Sequence, residues 1–408
     1  MARRGLWSAV SASVLFVPLV ILTTAGSATA NPGTTHRNVH VCAAPAAGVA
    51  ACDSIIHETI QPDGRIVPAA TPSGYGPSDL QSAYRLPSST AGAGQTVAIV
   101  DAYNDPNVLA DLCVYRAQFS IAPVTGCSGS GTSSPTFRVL NQSGTSKLPR
   151  SNGGWAQEIS LDVDMVSAIC PKCNILLIEA ASSSLTNLGT AVNRAATLRA
   201  NEISNSYGGG ESSSDPSYDT QYYNHPGIAI TASSGDSGYG SSYPAASQYV
   251  TAVGGTSLTR NASTVRGWSE TAWSGAGSGC SAYDSQPSWQ SANGNITRVC
   301  AKRAEADVSA VADPNTGVAV YDSYSYQGVS GWLVFGGTSV ASPITASVYA
   351  LAGNAGSVTY GSYAYSHSSS LNDVTSGSNG SCGNSLCNAT TGWDGPTGLG
   401  TPIGTSAF

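Results

Sequence analysis

The stretch Gly336-Gly337-Thr338-Ser339-Val340-Ala341-Ser342-Pro343, followed by the small apolar run Ile344 to Leu351, constrains this chain more than any other. It fits a strand, a glycine turn and the opening of a helix. Ser339 then stands at a helix N-terminus, where unpaired backbone N–H groups and the helix dipole favour negative charge. A serine there can simply cap the helix. It can also act as a nucleophile whose attack on a carbonyl creates an oxyanion. Two acidic motifs upstream tip the reading toward chemistry.

The pattern around that motif predicts an α/β body. Val97–Asp101 reads as a buried strand ending in a carboxylate, followed by a helix over Asn107–Phe119. Trp155–Ile169 carries apolar residues at helical spacing, and Asn174–Glu179 is another apolar strand. A helix over Leu185–Arg199 leads to strands at Glu202–Asn205, Ile228–Thr231 and Val250–Val253. This alternation predicts a parallel sheet with helices on both faces. Sites in such sheets lie beyond the carboxyl ends of the strands. Asp101, Ser206, Asp236 and Ser339 all fall just after expected strands. Residues 128–150 and 355–390 read as loop-rich, and no internal repeat is present. Residues 31–74, rich in Ala, Pro and Thr, read as a short propeptide-like or N-terminal extension, with the body running over 75–408.

Residues 1–30 have the form of an export leader: Arg3 and Arg4, an apolar run from Val10 to Leu22, then Ala28-Thr29-Ala30. The run is short for a membrane span, so a secreted, extracellular chain is expected. Ten cysteines in an exported chain imply disulfides. Proximity suggests Cys42–Cys52, Cys113–Cys127, Cys170–Cys173, Cys280–Cys300 and Cys382–Cys387. Cys170-Pro171-Lys172-Cys173 could instead be a redox or zinc pair, but no second such pair and no adjacent His supports that. The formal charge of −7 argues against nucleic acid and anionic membranes as partners. Charged residues make up only 10% of the chain against a typical quarter, which limits charge build-up in acid. A monomer is expected. Asn-x-Ser/Thr sites stand at Asn141, Asn261, Asn295, Asn379 and Asn388.

Glu158 and Asp162 are four apart on the expected helix and share one face. Apolar neighbours (Ile159, Leu161, Val163) and the lack of nearby Lys or Arg set this pair apart from a solvated acidic face. Two such carboxyls relieve their repulsion by sharing a proton, which raises the apparent pKa of the pair and makes a general base for acid conditions. Asp164 points elsewhere. Asp236 lies in Ser233-Ser234-Gly235-Asp236-Ser237-Gly238 after a strand. A Gly-flanked Asp is often a turn residue. Facing Ser339, a protonated Asp236 would donate to the oxyanion, whereas an ionised one would repel it. Of the five histidines, His36, His40 and His57 lie in the extension, His225 precedes Pro226, and His367 sits in a Ser/Tyr-rich stretch.

Glu158-x-x-x-Asp162, Ser-Gly-Asp236-Ser-Gly and Gly-Gly-Thr-Ser339-x-x-x-Pro343, in this order, resemble the sedolisins, the serine-carboxyl peptidases, over roughly residues 75–402. The resemblance implies a subtilisin-like fold with glutamate in place of histidine. It implies Ser339 as nucleophile, Glu158 as general base, Asp162 as its partner and Asp236 as oxyanion-hole donor. Asp101 matches an acidic position that extends the hydrogen-bond chain to the base. Ser206, Tyr207 and Gly208 match the strand that pairs with the substrate backbone, although many members carry tryptophan where Tyr207 stands. Asp373-Val374-Thr375 with the Gly-rich run Ala389 to Gly400 offers carboxylates and carbonyls that suit a hard cation. It resembles the family's Ca2+ site, implying side-chain ligands Asp373 and Asp394 and backbone ligands Val374, Thr390 and Gly392. Many relatives carry a long folded propeptide where this chain has only residues 31–74.

The expected function is therefore a secreted, acid-active serine endopeptidase acting on polypeptides through an acyl-enzyme on Ser339. Two alternatives stay open at the level of sequence. One is a subtilisin-like peptidase with His225 as base. The other is a catalytically silent binding protein that uses its aromatic residues, such as those in Tyr321–Tyr326.

Overall fold

The computed structural model describes residues 1–2 and 34–408, so the leader read at 1–30 lies, but for its first two residues, outside the described part. Residues 34–408 form one unit. It begins with strands β1 (Thr35–His40), β2 (Ala51–Cys52) and β3 (Ile55–Ile60). Helix α1 (Pro77–Ala83) precedes β4 (Thr96–Ala102), α2 (Val108–Gln118), β5 (Phe137–Asn141), α3 (Gly153–Ile169), β6 (Asn174–Ala180), α4 (Leu185–Thr197), β7 (Glu202–Asn205) and β8 (Tyr207–Gly208). The short helix α5 (Asp215–Tyr218) leads to β9 (Ala229–Ser233), β10 (Thr251–Arg260), β11 (Trp268–Ala272) and β12 (Gly279–Cys280). Helices α6 (Ser288–Ser291) and α7 (Gly294–Thr297) come next, then β13 (Ala304–Glu305), β14 (Val308–Val311), β15 (Val318–Tyr326), β16 (Val329–Gly336) and α8 (Thr338–Ala352).

The central sheet has the order β11-β10-β9-β7-β4-β6-β5, with β14 also on β10. All its pairs are parallel except β10–β11. Strands buried on both faces need near-continuous apolar runs, and Thr96-Val-Ala-Ile-Val and Ile175-Leu-Leu-Ile supply them. Helices α3 and α8 pack on each other and on the sheet, and α4 covers β4, β6 and β7 on the other face. The result is the expected α/β architecture. The expected Ile228–Thr231 strand sits at Ala229–Ser233, and the Val250–Val253 strand extends to Arg260.

Two features depart from a reading of local pattern. Residues 128–150, expected only as loop-rich, contain β5, the edge strand of the main sheet, paired to β6 with Phe137 opposite Ile175. A second, antiparallel sheet of order β1-β3-β16-β15 builds the extension into the body. There Ile55 pairs with Gly336 and Ile56 with Phe335, and Ile55 and Ile56 are both buried. The five disulfides suggested by proximity are the five that form. Cys170–Cys173 is thus a disulfide, not a metal pair. No helix among the described residues is long and apolar enough to cross a membrane.

Candidate active site

Helix α3 begins on Asn152, whose side chain accepts from Trp155 N, and every residue from Gly154 to Ile169 is buried. It packs against α1, α2, α8, β4 and β15. A helix enclosed on all sides takes its polar residues inside with it. Gln157, Glu158, Ser160, Asp162 and Asp164 are all buried. Asp164 turns away, its Oδ2 accepting from Tyr321 N at 3.0 Å. Glu158 and Asp162 turn toward Asp101 near the end of β4, and carboxyl oxygens of all three lie within 4.8 Å of one another.

Helix α8 starts at Gly337, whose φ of 98° is open to glycine and strained for other residues. A Cβ there would run into the Asp53 carbonyl oxygen and the Asp236 carboxyl. Ser339 follows in the first turn, fully buried, and its Oγ donates to the Ser206 carbonyl at 3.1 Å. Pro343 has no N–H, so the Ser339 carbonyl lacks its helical partner; Ser206 Oγ donates to it instead, at 3.4 Å. Ser342 then pins the helix to the sheet, its hydroxyl 3.0 Å from Ser204 Oγ and 2.9 Å from Thr231 Oγ1.

Among the described residues no cation pairs with the carboxyl cluster. Burial and the neighbouring Asp101 push Glu158 well above its ordinary range, while the Ser339 and Ser54 hydroxyls that face it favour its charge. Neither hydroxyl is aligned as a finished hydrogen bond, and both Glu158 oxygens are buried without a donor. Asp162 is raised by burial and by Asp101 and Glu158, with the Ser206 hydroxyl working the other way. Asp101 is pushed by burial to about 8. At these separations a pair of full charges costs about 3–4 kcal/mol even at an effective dielectric constant of 20. The cluster therefore holds protons, and a lone carboxylate within it is stabilised by its protonated neighbours.

Across the cleft, Asp236 Oδ1 accepts from Thr338 N at 2.7 Å and Thr338 Oγ1 at 2.9 Å. Its other oxygen is buried without a partner, and burial followed by the charge of Asp53 raises its pKa well above the carboxylate range. Protonated, that oxygen is a hydrogen-bond donor beside Gly337, at the start of the helix that carries Ser339. Gly208 lines the same cavity as Asp236, and the Ser206 carbonyl accepts from Ser339 Oγ. Tyr207 OH donates to Asn205 Oδ1 at 2.8 Å, which takes it into the sheet rather than toward Glu158.

His225 lies elsewhere, its Nε2 2.8 Å from Asn193 Oδ1 and 3.1 Å from the Tyr222 carbonyl. His57 contacts Asn38, His36 stacks on His57, and His367 stacks on Tyr363. Sequence reasoning missed Asp53, Ser54 and Thr338. Asp53 is the least foreseeable: it sits in the extension, yet its carbonyl accepts from Ser339 N at 2.9 Å and its Oδ2 accepts from Ser233 Oγ at 2.7 Å.

The five residues of the C-terminal loops form a second group. Asp394 is buried and raised to about 7, chiefly by burial. It accepts from Thr390 N, Thr397 N and Thr397 Oγ1. Asp373 Oδ2 accepts from Gly392 N at 2.9 Å, which ties the two acidic loops together. The carbonyls of Val374, Thr390 and Gly392 accept no hydrogen bond from the described residues. Two neighbouring carboxyls and three free carbonyls fit a hard cation.

No family model matches the chain. It is 29% identical to kumamolisin of Bacillus sp. (strain MN-32) over 378 residues, covering 82% of this chain and 63% of that protein. It is 28% identical to sedolisin of Pseudomonas sp. (strain 101) over 372 residues, covering 81% of this chain and 60% of that protein. A solved structure of Pseudomonas sedolisin, a serine-carboxyl proteinase complexed with two molecules of pseudo-iodotyrostatin, superposes with a TM-score of 0.65 at 27% identity. That likeness covers 82% of this chain and 96% of that one. The chain is similar in sequence and in fold to the sedolisins. It spans 60–63% of the length of the curated sedolisin relatives it matches.

Proposed function

We propose that the chain is a secreted, acid-active serine-carboxyl endopeptidase. Glu158, in its ionised form, takes the proton from Ser339 Oγ as that oxygen attacks a peptide carbonyl. The developing oxyanion is held by Ser339 N–H and by protonated Asp236. Glu158 then passes the proton to the leaving amine, and water hydrolyses the acyl-enzyme by the same steps in reverse. Asp162 and Asp101, protonated, hydrogen-bond toward Glu158 and hold it in place. Tyr207 and Gly208 pair with the substrate backbone. The observation that carries this reading is that Ser339 and Glu158, from separate elements, face one another in a pocket of buried carboxyls. The histidines described above are engaged away from it.

The pH dependence follows from the same burial. Asp236 must keep its proton to donate, and its raised pKa lets it do so in acid; activity falls as rising pH ionises it. Ca2+ at Asp373, Asp394 and the carbonyls of Val374, Thr390 and Gly392 would tie the C-terminal loops together, a structural role remote from the bond broken.

The test is digestion of a peptide library from pH 3 to pH 8. Ser339→Ala and Glu158→Gln are each expected to lower kcat by at least about 10⁴-fold, and His225→Ala to leave it within twofold. Undiminished cleavage by Ser339→Ala, or a neutral optimum abolished by His225→Ala, refutes the reading.

A further inference from the structure

Beyond Gly208, four acidic side chains meet with too few donors to go round. Glu211, Asp215 and Asp284 bring carboxylate oxygens within 4.8 Å of one another. Glu211 follows β8, Asp215 opens α5, and Asp219 comes directly after that helix, whereas Asp284 lies in the loop between β12 and α6. The run Glu211-Ser-Ser-Ser-Asp215-Pro-Ser-Tyr-Asp219 repeats an acid every fourth residue. That spacing sets like charges side by side once the chain coils. Two of the four are well supplied. Glu211 accepts from Ser281 Oγ and from Ala282 N at 3.2 Å. Asp215 accepts from Ser212 N at 2.6 Å and from Ser212 Oγ at 2.8 Å.

The other two are not. Asp219 and Asp284 are each only 1% exposed. Both oxygens of Asp284 and Oδ2 of Asp219 are buried without a donor, and the two carboxyls face one another. Asp219 Oδ1 accepts from Tyr243 OH at 3.0 Å, and the Ser247 hydroxyl also faces that carboxyl. Among the described residues no Lys or Arg forms an ion pair with any of the four. Lys302 Nζ donates to the Tyr283 carbonyl at 2.9 Å, and Arg303 is engaged by Asp307. Buried polar atoms in folded proteins almost always have partners. What is missing between Asp219 and Asp284 is a positive group.

We propose that Glu211, Asp215, Asp219 and Asp284 form a second Ca2+ site. It is distinct from the C-terminal loops and does not depend on the peptidase reading. Donors that are all oxygen select a hard cation. Ca2+ accepts several carboxylates in the irregular geometry that loops provide, where Mg2+ demands a near-ideal octahedron. Glu211 is partly exposed and gives the ion a way in. An ion there joins two segments of the cavity wall. Asp284 belongs to the loop closed by the Cys280–Cys300 disulfide. Glu211 follows Gly208, Gly209 and Gly210, which line the cavity beside Asp236. Gly209 and Tyr243 exchange backbone hydrogen bonds at 2.9 Å, so Tyr243 braces both that wall and Asp219. Bound Ca2+ fixes this corner from behind.

The test counts the Ca2+ bound per chain, by titration calorimetry with CaCl2 at pH 6.5 after treatment with a chelator. Asp284→Asn keeps the size of the side chain and removes its charge. It is expected to bind one Ca2+ fewer than the wild type. Asp373→Ala should keep the ion that Asp284→Asn loses, so the two sites are judged separately. Glu211→Gln, at the exposed rim, should bind that ion at least about tenfold more weakly. Equal counts in the wild type and Asp284→Asn overturn the inference, and the four carboxyls then hold protons instead. Should circular dichroism show that Asp284→Asn does not fold, an unchanged affinity in Glu211→Gln overturns it.

Discussion

Substituting Asp322 by Asn is expected to make this protein more tolerant of neutral pH. Asp105, Asp111 and Asp322 form a buried trio with oxygens within 4.8 Å of one another. Asp105 accepts from Asn107 N and Ser160 Oγ, and Asp111 from Ser323 N and Oγ. Among the described residues Asp322 accepts an aligned hydrogen bond from Tyr324 N alone, through Oδ1; its buried Oδ2 has no aligned donor, although the Gln157 amide faces the carboxyl and favours its charge. It is therefore the member that keeps a proton, and burial pushes its pKa from 3.8 up to about 8. A carboxyl raised in the folded state contributes full stability below its unfolded pKa and loses it as pH rises toward the folded one. Between pH 3.5 and pH 6 that loss amounts to about 3 kcal/mol at 1.36 kcal/mol per pH unit. Asn keeps the acceptor for Tyr324 N and replaces the O–H donor with an N–H that does not titrate. Melting temperatures of the two proteins across this range should coincide at pH 3.5. By pH 6 the variant should melt roughly 5 °C higher. Parallel curves would refute the assignment of the proton to Asp322.

Two further outcomes bear on the site. Asp236→Ala should lower kcat about 10²–10³-fold, as expected for a lost oxyanion donor. Asp236→Asn, which still accepts from Thr338 and donates at any pH, should retain at least tenfold more activity than Ala and a flatter alkaline limb. Equal losses with parallel pH–rate profiles would remove Asp236 from the oxyanion site. For Ca2+, a chelator should lower the melting temperature and added Ca2+ restore it, by an amount equivalent to about 2.7 kcal/mol at 100 times Kd. Asp373→Ala should abolish that increment, and a wild-type melt indifferent to both reagents would sink the cation site.

The parts legible in the sequence were those encoded by contiguous residues. The helix holding Glu158 and Asp162, the strand ending near Asp101 and the turn into Ser339 each carry their own periodicity and punctuation. Their convergence follows from parallel topology, which gathers strand ends at one edge. What escaped was non-local. Strand β5 is short, flanked by Ser, Thr and Gly, and owes its conformation to β6. Strand β2 is two residues long, and no alternation could announce it. Asp53 has no motif of its own; its place is fixed by the Ser206 carbonyl that its N–H meets and by the N–H of Ser339. Pattern reading sees faces and periods, whereas a bare segment laid along a cleft is defined by its partner.

The enclosure of α3 has a consequence for how this chain can change. With each side chain from Gly154 onward walled in by α1, α2, α8, β4 and β15, few substitutions near Glu158 can avoid leaving a void or forcing an overlap. Substitutions that keep the fold intact are thereby steered out of this helix and into the exposed loops, while the acid-bearing rod is kept as a unit.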